Sequence, residues 1–86
     1  MEDSSKGGEL VRYKPYEKIR EMREDNHYSQ QQIADLIHIG QRTYSDYESG
    51  KTRIPLDSVI TLARFYNVDL NYLTGVSQIK RPFPTE

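Results

Sequence analysis

The stretch SQQQIADLIHIGQRTYSDYESGK, from Ser29 to Lys51, contains two short helical patterns joined by a break. Gln32 follows Ser29 by three residues, a spacing that predicts a capping box at the start of the first helix. The break falls at residues 38–40. The second pattern covers about residues 41–49 and stops at Gly50, a residue type that suits the left-handed conformation after a helix.

A connection of only about three residues between these patterns predicts a sharp helix-turn-helix corner. Ala34 is small, so the second helix can cross the first one closely at this point. Tyr44 and Tyr47 are interpreted as core residues rather than base-stacking residues, because their spacing matches the buried stripe. The side chains expected to fill the wedge between the two helices are Ile33, Ile37, Ile39, Tyr44 and Tyr47.

Helical signals continue on both sides of this corner. Pro15 suits the first turn of a preceding helix, and Pro55 helps to begin a fourth helix that Asn67 closes. Asp69 can cap a short fifth helix at residues 70–73. No segment alternates with period two, so the predicted fold class is all-α, a compact domain of five helices. One face of the first helix carries Tyr16, Ile19, Met22 and Arg23, and the apolar stripe of the fourth is Leu56, Val59, Ile60, Leu62, Ala63 and Tyr66.

Composition limits the classes of function that remain. The chain has 86 residues, enough for one small domain, and it has no cysteine for a disulfide framework or a thiolate metal site. No apolar run approaches the roughly 20 residues of a membrane span, and the acidic, polar N-terminus does not resemble a signal peptide. We therefore expect a soluble cytoplasmic protein. The net charge of −1 argues against a general polyanion binder, so any nucleic-acid binding must come from a local patch.

Three segments are expected along the chain. Residues 1–14 are interpreted as a flexible N-terminal arm, and residues 15–75 as the helix-turn-helix domain. Residues 76–86 contain two prolines and no helical period, so they are interpreted as a C-terminal tail.

Specific motifs strengthen this interpretation. They are Ser29-Gln30, Ala34, Ile39 and the ending Glu48-Ser49-Gly50-Lys51, followed by the later segment LARFYNVDLNYLTG. With these motifs, residues 15–75 resemble the lambda-repressor-like helix-turn-helix family, also called the Cro or XRE type. Two positions depart from the family pattern, since His38 replaces the usual turn glycine and Gly40 replaces the usual Ser or Thr cap.

The resemblance implies double-stranded DNA as the partner, with the second helix of the motif in the major groove. It also implies an ion pair between Arg23 and Glu48 and homodimer formation, at least on DNA. A Gln amide can pair with adenine and an Arg fork with guanine, which suits this role. The implied base-reading residues are Gln41, Arg42, Thr43, Ser45 and Asp46; the implied DNA-backbone contacts are Ser29, Gln30, Lys51, Thr52 and Arg53; and the implied dimer residues are Leu70, Tyr72, Leu73 and Val76.

The expected function is that of a sequence-specific transcriptional regulator, a repressor that binds a near-palindromic operator as a dimer. Two alternatives remain open: an antitoxin that represses its own operon and binds a toxin, and a protein-interaction module that keeps the fold without binding DNA. No nucleophile, base and orienting group occur together, so no enzyme activity is expected. Nothing in the sequence implies a metal, a cofactor, a small-molecule ligand or a membrane partner.

Overall fold

Five α-helices follow one another in residues 15–84, the part of the chain that the computed structural model describes. The order of elements confirms the predicted all-α fold. The expected arm at residues 1–14 lies outside the described residues. The helices are α1 Pro15–Asp25, α2 Gln30–Leu36, α3 Gln41–Ser49, α4 Leu56–Tyr66 and α5 Leu70–Leu73.

Local capping groups explain where α2 and α5 begin. The Ser29 hydroxyl accepts from the Gln32 backbone N–H at 3.0 Å, and the Ser29 N–H donates to the Gln32 side chain at 2.8 Å. This reciprocal pair is the predicted capping box, which satisfies donors that the helix itself leaves free. Asp69 caps α5 by accepting from the Tyr72 N–H at 2.9 Å.

The turn between α2 and α3 depends on one left-handed residue. His38 has φ 60°, which fits the family position where glycine is usual. The turn is closed by the Ile39 N–H, which donates to the Ala34 carbonyl at 3.0 Å. Histidine enters the left-handed region more readily than branched residues do, so the departure from glycine leaves the turn intact.

The core lies between α1, the α2–α3 pair and α4. Tyr44 is fully buried and Tyr47 nearly so, which confirms that they are core residues. Ala34 is also fully buried, in the helix that packs against α3. The remaining fully or nearly buried apolar residues are Ile19, Met22, Ile33, Val59, Leu62, Ala63, Val68 and Leu73.

The predicted stripe of α4 is wrong at its first position. Leu56 is 65% exposed, whereas Val59 and Leu62 are buried. Leu56 is the first residue of the helix, and the buried positions of α4 begin one turn later, at Val59. Helical spacing alone does not show where a stripe leaves the core.

Residues 76–84 form neither helix nor strand, but they lie against the helical domain. The Asp69 N–H donates to the Arg81 carbonyl at 2.8 Å, and the Phe83 N–H donates to the Asn67 side chain at 3.2 Å. The Phe83 ring packs against the core, with the Arg64 guanidinium 5.3 Å from its centroid. The segment assigned to a tail thus folds back along the end of α4 and the start of α5. Within residues 15–84, no helix is long and apolar enough to cross a membrane.

Candidate nucleic-acid interface

The first turn of α3 points outward, and the rest of the helix is anchored. Gln41, Arg42 and Thr43 are exposed, whereas Tyr44 and Glu48 on the opposite side are buried. The helix begins at Gly40, which supplies no side-chain cap, so the first-turn N–H groups have no side-chain acceptor from the cap. Ser45 and Asp46, also predicted to read bases, are half-buried. The most accessible groups of the predicted reading set are therefore the first three.

Gln41 is held by a side chain from α2. Its Nε2 donates to Gln30 Oε1 at 2.7 Å, so the first turns of the two helices are linked. Gln30 in turn donates from its Nε2 to Glu48 Oε1 at 3.1 Å. Gln30 is half-buried and its orientation is fixed at both ends of its amide. The family resemblance implied a DNA-backbone contact for Gln30, and the sequence gave no signal for its bond to Glu48.

A nearly buried ion pair ties α3 to α1. Arg23 Nε donates to Glu48 Oε2 at 2.7 Å and Arg23 Nη2 donates to Glu48 Oε1 at 3.1 Å. The side chain of Arg23 is 13% exposed and that of Glu48 is 4% exposed. Arg23 Nη1 also donates to the Tyr28 carbonyl at 2.8 Å, which fixes the guanidinium plane. Two parallel hydrogen bonds of this kind combine charge attraction with a defined geometry.

Protonation of Glu48 is governed by opposing effects. Burial disfavours the charged carboxylate, but the interactions with Arg23, and then those with Tyr44 and Gln30, outweigh it and hold the pKa of Glu48 below its usual value. The Tyr44 hydroxyl is buried close to Glu48, although it makes no hydrogen bond of good geometry in residues 15–84. Its burial, followed by the neighbouring charge of Glu48, raises the pKa of Tyr44 above its usual value. Tyr44 is therefore a neutral core phenol.

The predicted backbone-contact residues lie at the start of α2 and after the end of α3. Ser29 is exposed, and its hydroxyl proton stays free to donate while its oxygen caps α2. Lys51, Thr52 and Arg53 follow α3 and are exposed. Their loop is fixed at its start, because the Lys51 and Thr52 N–H groups donate to the Asp46 carbonyl at 3.0 and 3.3 Å.

The surface of α3 and the loop that follows it is more positive than a count of its charged residues indicates. The cationic side chains Arg42, Lys51 and Arg53 are exposed, and Asp46 is half-buried. Glu48 adds little negative charge to the surface because Arg23 neutralises it within the protein. A local cationic patch can thus exist on a chain whose net charge is −1.

The four predicted dimer residues do not share one surface. Leu73 is fully buried in the core, so it offers no area to a partner. Leu70 and Tyr72 are half-buried, and the Lys18 ammonium lies 4.4 Å from the centroid of the Tyr72 ring. Val76 is 61% exposed, and Ile79, three residues further along the chain and not among the predicted residues, is 57% exposed.

Fold, turn and exposed helix together define a helix-turn-helix protein. Residues 19–73 match the helix-turn-helix family model, and the chain belongs to this family, as the lambda-repressor-like resemblance predicted. The chain is 36% identical over 61 residues to the cryptic phage CTXphi transcriptional repressor RstR of Vibrio cholerae, covering 71% of this chain and 55% of that one. It is 30% identical over 66 residues to the uncharacterised HTH-type transcriptional regulator YobD of Bacillus subtilis, covering 77% and 59%.

A solved structure agrees with this assignment. The crystal structure of a transcriptional regulator from Listeria innocua matches with a TM-score of 0.74 at 25% identity, covering 80% of this chain and 64% of that one. The chain thus spans between 55% and 64% of the length of these three proteins. The similarity therefore concerns the helix-turn-helix domain.

Proposed function

We propose that this protein is a sequence-specific DNA-binding transcriptional regulator, and specifically a repressor that binds a near-palindromic operator as a dimer. The observation that carries the proposal is the exposed first turn of α3, where Gln41, Arg42 and Thr43 project from a helix anchored by buried residues. In helix-turn-helix proteins the N-terminal residues of this helix contact base edges in the major groove. RstR is named as a transcriptional repressor, which supports the proposed role.

The side chains of this turn suit base recognition. An Arg42 fork can donate to both acceptors of guanine, and the Gln41 amide can pair with adenine. Each good bidentate pair discriminates against the wrong base by about 1–3 kcal/mol. Ser45 and Asp46 stand one turn further along, where an Asp46 oxygen can accept from a cytosine amine.

The flanking residues suit the DNA backbone. Lys51 and Arg53 can neutralise phosphates, while the Ser29 hydroxyl and the Gln30 amide can donate to them. Each phosphate neutralised makes the logarithm of the binding constant fall by about 0.9 per tenfold rise in salt. A small patch of this kind gives a modest salt dependence. Because phosphate contacts do not read sequence directly, specificity must come mainly from α3.

Selection of bound duplexes from a random DNA pool tests base reading. The wild type should enrich a two-fold symmetric site with half-sites about 10 base pairs apart. The double variant Gln41→Ala/Arg42→Ala should lose the preference and retain only weak, salt-sensitive binding. Gln78→Ala/Arg81→Ala removes the same two residue types from exposed positions outside the motif and should enrich the wild-type site. Failure of the wild type to enrich any site contradicts the proposal and favours a protein-interaction module.

Dimer formation requires a separate test. Leu70, Tyr72 and Val76 are the proposed contacts, and the exposed Ile79 in the following segment is a further candidate. Val76→Glu should weaken the two-protomer complex on the selected duplex in sedimentation velocity. Leu56→Glu is the matched control, because Leu56 is as exposed as Val76 but lies at the start of α4. One protomer per symmetric site in the wild type would contradict the dimer.

A further inference from the structure

A row of hydrogen bonds leads from the buried ion pair to the exposed turn of α3. Glu48 Oε1 accepts from Gln30 Nε2 at 3.1 Å, and Gln30 Oε1 accepts from Gln41 Nε2 at 2.7 Å. The row connects residues 18 and 11 positions apart in sequence. The Arg23–Glu48 pair can join α1 to α3 without Gln30, so the bonds of Gln30 need another explanation.

The chemistry of Glu48 fixes the direction of every bond in this row. A carboxylate has no proton to give and can only accept, whereas an amide has one face that donates and one that accepts. Gln30 must therefore turn its NH₂ group to Glu48, which leaves its carbonyl oxygen facing Gln41. Gln41 must then turn its own NH₂ group to Gln30. The low pKa of Glu48 keeps the carboxylate charged at neutral pH.

This arrangement limits what Gln41 can offer to DNA. One of its two Nε2 hydrogens is used by Gln30, so one N–H donor and the Oε1 acceptor remain. Adenine presents one acceptor, N7, and one donor, the N6 amine, in the major groove. Guanine presents two acceptors, N7 and O6, and the Gln41 carbonyl would face one of them. Only adenine matches both remaining groups.

We propose that Glu48, acting through Gln30, makes Gln41 select adenine over guanine. The inference rests on the proposed function, since it applies only if α3 reads bases. Glu48 is then a positioning residue that never touches DNA, and Gln30 transmits its orientation. Without this row, both Nε2 hydrogens of Gln41 are free and can approach the two acceptors of guanine.

The test compares binding to two duplexes with wild type and three variants. The position read by Gln41 is first located as the base pair whose preference disappears in Gln41→Ala. One duplex carries A·T there and the other G·C. Gln30→Met breaks the row but leaves the Arg23–Glu48 pair in place. Glu48→Gln replaces the acceptor-only group with an amide that can turn either way. Gln31→Met is the matched control, because Gln31 is exposed and donates to Asp35 at 2.8 Å instead.

The measured quantity is the ratio of the two affinities, since loss of stability lowers both without changing their ratio. Wild type and Gln31→Met should prefer the A·T duplex by about 5- to 150-fold, the range that one bidentate pair supplies. Gln30→Met and Glu48→Gln should reduce the preference to within about 3-fold, because a freely turning Gln41 amide can make two hydrogen bonds to either purine. Thermal unfolding shows which variants are folded at the assay temperature; if Glu48→Gln is not, Gln30→Met decides the result.

The outcomes separate this inference from the proposed function. An unchanged ratio in Gln30→Met, or in folded Glu48→Gln, overturns the inference and leaves base reading by α3 intact. A base other than adenine at the Gln41 position overturns it as well. If the wild type selects no site, the proposed function fails and this inference fails with it.

Discussion

The first turns of α2 and α3 are close in space but built in opposite ways. The first turn of α2 is closed, because Ser29 and Gln32 satisfy each other's backbone N–H groups. The first turn of α3 follows Gly40, which provides no side-chain acceptor. The difference shows that α2 is capped at its own start, whereas α3 has no side-chain cap for its first-turn backbone N–H groups and depends more on contacts further along.

Those contacts lie in the second half of α3. Tyr44, Tyr47 and Glu48 are buried, and Gly50 ends the helix against the ring of Tyr16. The exposed side chains of the uncapped first turn can then meet a ligand without the helix moving, which keeps the loss of conformational freedom on binding small. Substitutions at each end of the two helices test this comparison.

Loss of the ion pair should have the largest effect. Arg23→Met leaves the Glu48 carboxylate buried without its cation, and breaking a buried pair in this way costs about 3–5 kcal/mol. That is a large fraction of the stability of a small domain. Urea unfolding followed by circular dichroism measures the loss. Arg20→Met is the control, since its pair with Glu24 is exposed on both sides and contributes at most about 1 kcal/mol. Equal losses in the two variants would show that Glu48 does not anchor α3.

Acid should weaken the same anchor. The pKa of Glu48 is lower in the folded protein than in the unfolded chain, so its contribution is complete above the unfolded pKa of about 4.3. The contribution is lost as the pH falls through the folded pKa. The urea concentration at which half of the wild-type protein is unfolded should therefore decrease when the pH is lowered below about 4. Glu48→Gln should make the urea midpoint depend less on pH in this range, whereas Glu24→Gln should keep the wild-type pH dependence because Glu48 is intact. If the urea midpoint of Glu48→Gln decreased at low pH as much as that of the wild type, Glu48 would not be the cause of the decrease.

The end of α3 should be the next most sensitive point. Gly50 has φ 80°, and a left-handed backbone costs most residues about 1–2 kcal/mol. Gly50→Ala should lower the free energy of unfolding by this amount, and its Cβ would also meet the Tyr16 ring at 3.4 Å. Gly50→Asn should lose less, because asparagine enters the left-handed region more readily. Equal unfolding midpoints for Gly50→Ala and wild type would count against a strained end.

Opening the closed end of α2 should have a smaller effect. Ser29→Ala removes the acceptor for the Gln32 N–H and should reduce stability by about 1 kcal/mol. Ser29→Asp keeps an acceptor at the same place and should unfold near the wild-type midpoint. If alanine and aspartate behave alike, the hydroxyl oxygen is not what closes the turn.

Sequence reasoning succeeded where the cause of a structure is local. Ser29 and Asp69 begin helices through bonds to residues three positions away, and Gly50 ends one through its own backbone conformation. Signals of this range can be seen in a single sequence. The helix-turn-helix corner followed from two such boundaries placed close together.

Prediction failed where exposure depends on distant parts of the chain. Leu56 and Leu73 are both apolar helical residues, yet Leu56 is 65% exposed and Leu73 is fully buried. Phe83 packs on the core only because residues 76–84 fold back. The bond between Gln30 and Glu48 joins side chains 18 residues apart, and neither residue alone indicates it. Each case is decided by tertiary packing.

The smallest effect expected is a gain at the open start of α3. Gly40 has φ −74°, and a Cβ built on it meets nothing within 4 Å among the described residues, so serine fits without strain. Gly40→Ser adds an acceptor for a first-turn N–H and should stabilise the protein by a few tenths of a kcal/mol, about the usual difference between these two caps. A careful comparison of thermal unfolding midpoints can resolve a difference of this size.

A lower midpoint for Gly40→Ser would mean that the start of α3 is constrained by something other than its missing cap. A raised midpoint would show that α3 can be stabilised by a side-chain cap of the kind that Ser29 already gives α2. Since Gln41, Arg42 and Thr43 are unchanged, the stabilised variant should select the same DNA site as the wild type.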